Sequence, residues 1–138
     1  MEIINKKDIS GIINFKDDVE DFISGDRGEW LQYLSENLMA NNERIILLGI
    51  HHEEELKGYM VLIDGRQRPI SDCLYILYVW SELSPKDNLE AWRLFIEFVK
   101  ENDLPRVVKA AAKHPNLMAK FGFSEDLDLV PIKLTIKD

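Results

Sequence analysis

The sequence predicts an α/β chain whose single mixed, mostly antiparallel sheet carries helices on both faces. The predicted order is β-α-α-β-β-β-α-β-α-β. Three observations predict it. Apolar runs at 45–50 and 58–63 flank a polar, acidic connection, the pattern of an antiparallel hairpin. "CLYILYVW" at 73–80 is apolar without alternation, as in a strand covered on both faces. An amphipathic helix from Pro85 to about Glu101 follows, and then "RVVKAAA" at 106–112 as a further strand. Such a strand–helix–strand unit calls for a parallel, right-handed crossover.

The remaining elements fill in around that unit. "MEII" reads as a short edge strand. "KKDISGIINFKDDVEDFISG" at 6–25 reads as a helix. Its Ile9, Ile12, Ile13, Val19, Phe22 and Ile23 fall at mostly helical spacing, with Gly11 as an interruption and Gly25 as a stop. A second helix spans Arg27 to Met39 on the apolar stripe Trp30, Leu31, Tyr33, Leu34 and Leu38, and Asn41-Asn42 breaks it. "DGRQRPISD" at 64–72 is a loop punctuated by Gly65 and Pro69. "NDLP" ends the long helix, with Pro105 just beyond its last turn. "HPNLMAKFGF" at 114–123 is a short helix or turn closed by Gly122. "LVPIKLTIK" at 129–137 alternates as a last strand, with Pro131 favouring an edge or a bulge. Repeats, linkers and low-complexity segments are absent, so residues 1–138 are expected to form one domain.

Bulk composition narrows the function classes. The formal net charge is −8, with a pI near 4.9, so no basic field would offset phosphate repulsion. Nucleic acid and anionic membrane are therefore not expected partners. One cysteine, Cys73, excludes an intramolecular disulfide and fits a reducing compartment. The N-terminus "MEIINKKDIS" lacks the apolar core of a signal peptide, and no apolar run reaches the roughly 20 residues of a membrane helix. The expected location is the cytoplasm. Cys73 begins a buried strand and reads as core. His51 and His52 sit beside Glu53, Glu54 and Glu55 in the hairpin. Adjacent strand residues point to opposite faces and chelate poorly, so a solvated hairpin tip is expected and no metal centre.

The order of elements, together with "AKFGF" at 119–123, resembles the GNAT (GCN5-related N-acetyltransferase) fold. The resemblance covers nearly the whole chain. It implies that Gly122 provides a tight turn and that Phe123 plugs the core. It also implies an acetyl-CoA site where the fourth and fifth strands splay apart, with the pyrophosphate on backbone amides at the start of the long helix. The family signature there resembles Q/R-x-x-G-x-G/A. "K-D-N-L-E-A" matches it with Lys86 at the first position, Leu89 where a glycine is usual and Ala91 at the last. The cofactor-contacting positions implied are Val79, Lys86, Asp87, Asn88, Leu89, Glu90, Ala91 and Asn116. A Tyr four residues before the G-F glycine often serves as acid in this family, but Met118 stands at that position. A Glu on or near the fourth strand often serves as base. Asp72 and Glu82 flank the strand here, and Glu82, with His114 after the fifth strand, is the catalytic candidate. Tyr75 and Tyr78 lie on opposite faces by parity and read as core or cleft wall.

The helix start also has a plain structural reading. Ser84 at the N-cap, Pro85 at N1 and Asp87 at N3 make a close variant of a capping box. Ser84 would then satisfy an amide that a phosphate needs, and Leu89 would fill space that glycine leaves open. Two functions follow. One is a divergent N-acetyltransferase that moves an acetyl group from acetyl-CoA to an unknown amine, a cationic one by the acidity of the surface. The other is a catalytically inactive GNAT-like module, phage-type or cellular, that binds or assembles with a protein partner.

Overall fold

The computed structural model describes residues 1–21, 25–42, 44–67, 72–110, 121–122 and 134–135. Five strands form one sheet in the order β1 (Glu2–Lys6), β2 (Ile45–His52), β3 (Glu55–Asp64), β4 (Cys73–Ser81) and β5 (Val107–Ala110). The first four are antiparallel neighbours; β5 runs parallel to β4, with Cys73 opposite Val107. Two α-helices are described, α1 (Arg27–Met39) and α2 (Pro85–Glu101).

Alternation along the strands sorts their side chains into two cores. Leu47, Tyr59, Val61 and Tyr78 meet Trp30 and Leu34 of α1, with Ile12 and Val19. Leu48, Met60, Leu62 and Leu74 meet Phe95 and Val99 of α2. Each helix is capped locally. Asp26 accepts from the Glu29 N–H at 2.8 Å, and Ser84 accepts from the Asp87 N–H at 3.2 Å, each satisfying an N–H that has no partner within its helix. The sheet covers one helix on each face, as expected. Ile96 lies 39% exposed on α2, and Cys73, expected in the core, is only half-buried.

The clearest departure from the sequence reading is at residues 6–21, which are not a continuous helix. Two short 3-10 turns, Ile12–Asn14 and Val19–Asp21, replace it. Gly11 adopts φ +88°, outside the helical region, and Asp8 accepts from both the N–H and the hydroxyl of Ser10. The polar residues between the turns are recruited inward. Asp17 bonds Arg27 and Tyr59, and Arg27 donates to the carbonyls of Ile12 and Ile13. Apolar spacing alone does not register that pull.

The hairpin is longer than expected. β2 and β3 extend to a two-residue connection, Glu53 and Glu54, both at positive φ (53° and 68°). His51 and His52 are therefore paired strand residues, half-buried, not a solvated tip. Close to the turn of the hairpin, β3 and β4 approach each other closely. A Cβ on Gly58 would lie 2.5 Å from the Trp80 carbonyl oxygen and 2.8 Å from the Ser81 Cα, so only glycine fits there. The segments 114–120 and 129–133, and Phe123, lie outside the described residues.

At the opposite end of the sheet, Arg66 clamps the buried Asp64 carboxylate. It donates from Nε at 3.1 Å and Nη2 at 2.9 Å, and from Nη1 to the Asp103 carbonyl at 3.0 Å. The Arg66 hydrogen bonds hold the Asp64 carboxyl below its ordinary value, against the opposing effect of burial. A depressed folded value means the contribution is present above about pH 4 and is lost as pH falls through the folded value. Arg66→Ala should therefore destabilise the fold at pH 7 and do so much less at pH 3. Urea denaturation at the two pH values measures the difference; an equal loss at both would refute the clamp. Phe95→Ala, at the centre of the second core, should cost about 3–5 kcal/mol in the same assay.

Candidate active-site cleft

β4 contains one residue more than its partner requires. Ile76 pairs with Leu62 and Tyr78 with Val61, leaving Leu77 as a bulge. Before the bulge, Leu74 and Ile76 face α2; after it, Tyr78 and Trp80 face α1. Tyr75 stands opposite Ile63, which packs on the α1 side, so Tyr75 and Tyr78 share a face. The parity expectation for the two tyrosines is thus corrected, because the extra residue reverses the alternation.

The bulge adjoins the last described pair of β4 with β5. The described pairing of β4 with β5 ends at Ile76 and Ala110, while β4 continues to Ser81. Along this continuation Leu77 is 39% exposed and Val79 45% exposed, unlike the doubly covered strand that the apolar run implies. Val79, a predicted cofactor contact, therefore lies on an accessible stretch of strand. Glu82 follows directly, exposed, with its N–H donating to the Lys57 carbonyl at 2.8 Å. Among the described residues it is the carboxylate next to the end of β4. His114 and Asn116 lie outside the described residues.

The start of α2 closes the same end of the cleft. Ser84 uses the Asp87 N–H through its hydroxyl and the Asn88 N–H through its carbonyl at 2.9 Å. Asn88 is engaged twice more. Its carboxamide oxygen accepts from the Ser81 hydroxyl at 2.5 Å, and its Nδ2 donates to the Leu83 carbonyl at 3.3 Å. Lys86, Leu89 and Glu90 point to solvent, whereas Ala91 is buried against the sheet. The structure thus brings Val79, Glu82, Lys86, Asp87 and Asn88 to one end of the sheet, with the cap already filled from within the chain.

On the α1 side, the cleft wall is an aromatic and acidic layer that the sequence reading missed. Trp30 Nε1 donates to the Tyr59 hydroxyl at 3.2 Å, and Tyr59 donates to Asp17 at 2.5 Å. Tyr78 donates to Asp18 at 2.9 Å. The rings of Phe15 and Trp80 pack tilted with centroids 4.8 Å apart, and those of Tyr59 and Tyr78 at 5.6 Å. Burial, and then the carboxylate partner, pushes both phenols well above the usual tyrosine range. They hold their protons tightly, which suits structural donors better than proton-transfer groups. Asp-Asp at 17–18, between the apolar Phe15 and Val19, was the available signal.

No family model matches the chain, and no curated protein matches it. Solved structures do. A probable acetyltransferase superposes with a TM-score of 0.68 at 15% identity, covering 100% of this chain and 99% of its own. The apo aminoglycoside antibiotic 6′-N-acetyltransferase AAC(6′)-IG from Acinetobacter haemolyticus gives 0.66 at 11% identity, over 99% and 100%. A predicted acetyltransferase from Clostridium acetobutylicum, solved with acetyl-CoA, gives 0.52 at 14% identity, over 91% and 81%. With the parallel β4–β5 pair, the bulged β4 and the capped helix after it, these superpositions establish that the chain has the GNAT acetyltransferase fold.

Proposed function

We propose that the chain is a divergent N-acetyltransferase that uses acetyl-CoA to acetylate an amine. The observation that carries this reading is the stretch of β4 beyond Ile76, bulged, accessible and leading into a helix start. A pantetheine arm is an extended chain with amide groups. It can add to a strand edge as a peptide does, with apolar contact to Leu77 and Val79. One structural neighbour was solved with acetyl-CoA, which agrees with this choice of donor.

The fit is good along the arm and poor at the pyrophosphate. Ser84 already occupies the Asp87 and Asn88 amides, and Asp87 adds a negative charge at the helix start. Lys86 is the group left to meet a phosphate, as an exposed point charge. Bound acetyl-CoA would supply the acetyl group. On this reading the chain's own contribution is chiefly to hold donor and acceptor together. Glu82 would take the proton from the amine at the end of β4. The net charge of −8 would favour a cationic acceptor.

The filled cap favours a second reading, a GNAT-like module that binds a partner without catalysis. Calorimetric titration with acetyl-CoA separates the two. The enzyme reading expects micromolar binding by the wild type and at least a several-fold loss in Lys86→Ala. The module reading expects no binding, together with a loss of about 0.5–2 kcal/mol of folding stability in Ser84→Ala from removal of the cap. Tight binding that does not respond to Lys86→Ala would overturn the placement of the pyrophosphate at α2.

A further inference from the structure

The turn from Ser81 to Ser84 joins the accessible end of β4 to the first turn of α2, and each of its four residues is tied down. The Ser81 hydroxyl donates to Asn88 Oδ1 at 2.5 Å. The Glu82 N–H donates to the Lys57 carbonyl at 2.8 Å. The Leu83 carbonyl accepts from Asn88 Nδ2 at 3.3 Å. Ser84 caps the helix with its hydroxyl, and its carbonyl accepts from the Asn88 N–H. Asn88 therefore bonds three of the four residues, two of them through its side chain.

Chemistry fixes the orientation of that carboxamide. A carbonyl only accepts, so Nδ2 faces Leu83, and Oδ1 is left to accept from Ser81. Asparagine is a poorer helix former than alanine, so helix propensity does not account for its place in α2. What its side chain holds does account for it. The sheet supports the turn from the other side. Gly58 of β3 pairs with Ser81, and a Cβ on Gly58 would lie 2.7 Å from the Ser81 Cβ. Ser81 thus sits between the Gly58 backbone and the Asn88 side chain.

We propose that Asn88 is a positioning residue that, with Ser81, fixes the spacing between the two halves of the donor site. The inference rests on the acetyltransferase reading. On that reading the arm of acetyl-CoA lies along Leu77 and Val79 of β4 while its phosphates meet Lys86 of α2. One ligand then touches two elements at once, and the chain between them is this turn, with Glu82, Ser84 and Pro85 exposed. A turn free to move would have to be ordered by each ligand that binds, and that ordering would weaken affinity. A turn latched beforehand removes the cost. Glu82 lies inside the latched segment, so the same bonds set its place beside the end of β4. Asn88 was expected to touch the cofactor directly. Its carboxamide is spent within the chain instead, and it acts through the turn.

Calorimetric titration with acetyl-CoA tests this in wild type, Ser81→Ala, Asn88→Ala, the double variant and Ser81→Thr. Each alanine variant should bind about three- to tenfold more weakly than wild type. The double variant should bind no more weakly than either single one, because both remove the same latch. Ser81→Thr keeps the hydroxyl and should restore affinity. Amide exchange at Glu82 should speed up in Ser81→Ala and not in Ser81→Thr. Unchanged affinity in Ser81→Ala would overturn the proposal, and so would a loss that Ser81→Thr fails to restore. The comparison of these two variants decides the matter even where Asn88→Ala impairs folding. Additive losses would overturn it as well, since Asn88 would then touch the ligand itself. Wild-type binding is the separate test of the acetyltransferase reading. Without it, the Ser81–Asn88 bond serves the fold alone and the positioning role falls with that reading.

Discussion

The single extra residue in β4 organises the region around it. Without the bulge at Leu77, Tyr78 and Trp80 would point toward α2, where Phe95 and Val99 already fill the space. With it they turn to the α1 side, and a place for Asp18 follows, since the Tyr78 hydroxyl needs an acceptor once its ring is buried. The adjacent Asp17 then falls beside Tyr59 and Arg27. The segment 12–21 is therefore held by side chains that answer to the sheet, not by a ladder of its own backbone bonds. The bulge also increases local twist where the described pairing with β5 stops.

This explains which parts of the fold were legible in the sequence. α1 and α2 carry their boundaries in short-range chemistry: Asp26 and Ser84 as caps, Pro85 at N1, and apolar stripes at helical spacing. Those signals depend only on residues within a turn of each other, and the structure has both helices at the expected positions. The β2–β3 hairpin and the parallel crossover were legible for a similar reason, since runs of apolar residues and connection lengths restrict the topology strongly. Residues 6–21 were misread because Ile12 and Val19 are buried, as a helix would require, while the inward pull on Asp17 comes from Arg27 and from Tyr59, 42 positions away. The bulge was illegible because "CLYILYVW" is apolar throughout, so a shift of one residue leaves no trace in the pattern. His51 and His52 were placed at a tip because three glutamates suggest a loop. Two of those glutamates instead take the positive φ of a minimal turn, and the third is in β3.

The candidate site was legible as a location more than as a mechanism. A strand end followed by a capped helix marks a place where the fold presents amide groups. Whether those amides are offered or consumed depends on side chains only a few ångströms away. Ser84 consumes them here, the Asp87 N–H through its hydroxyl and the Asn88 N–H through its carbonyl, while the Asn88 side chain is held by Ser81 and Leu83 in the approach to the helix.

Asp87 shows how these demands compete. As the N3 residue it complements the positive end of α2, and its N–H is the one that Ser84 caps. Its carboxylate also lies 3.8 Å from His52 Nε2 at the hairpin end. A phosphate at the same turn would have to displace the cap and tolerate the carboxylate, and both costs act in the same direction. A glycine-rich turn removes the first cost and a neutral N3 residue the second. This helix start has neither, so among the described residues an anion bound here would rely on Lys86 and on contacts made along β4. The demand therefore moves from the helix start to the strand, where Leu77 and Val79 provide exposed apolar surface. A ligand of this cleft should consequently be recognised more by its extended apolar and amide portion than by its phosphates, the reverse of what a glycine-rich turn would favour.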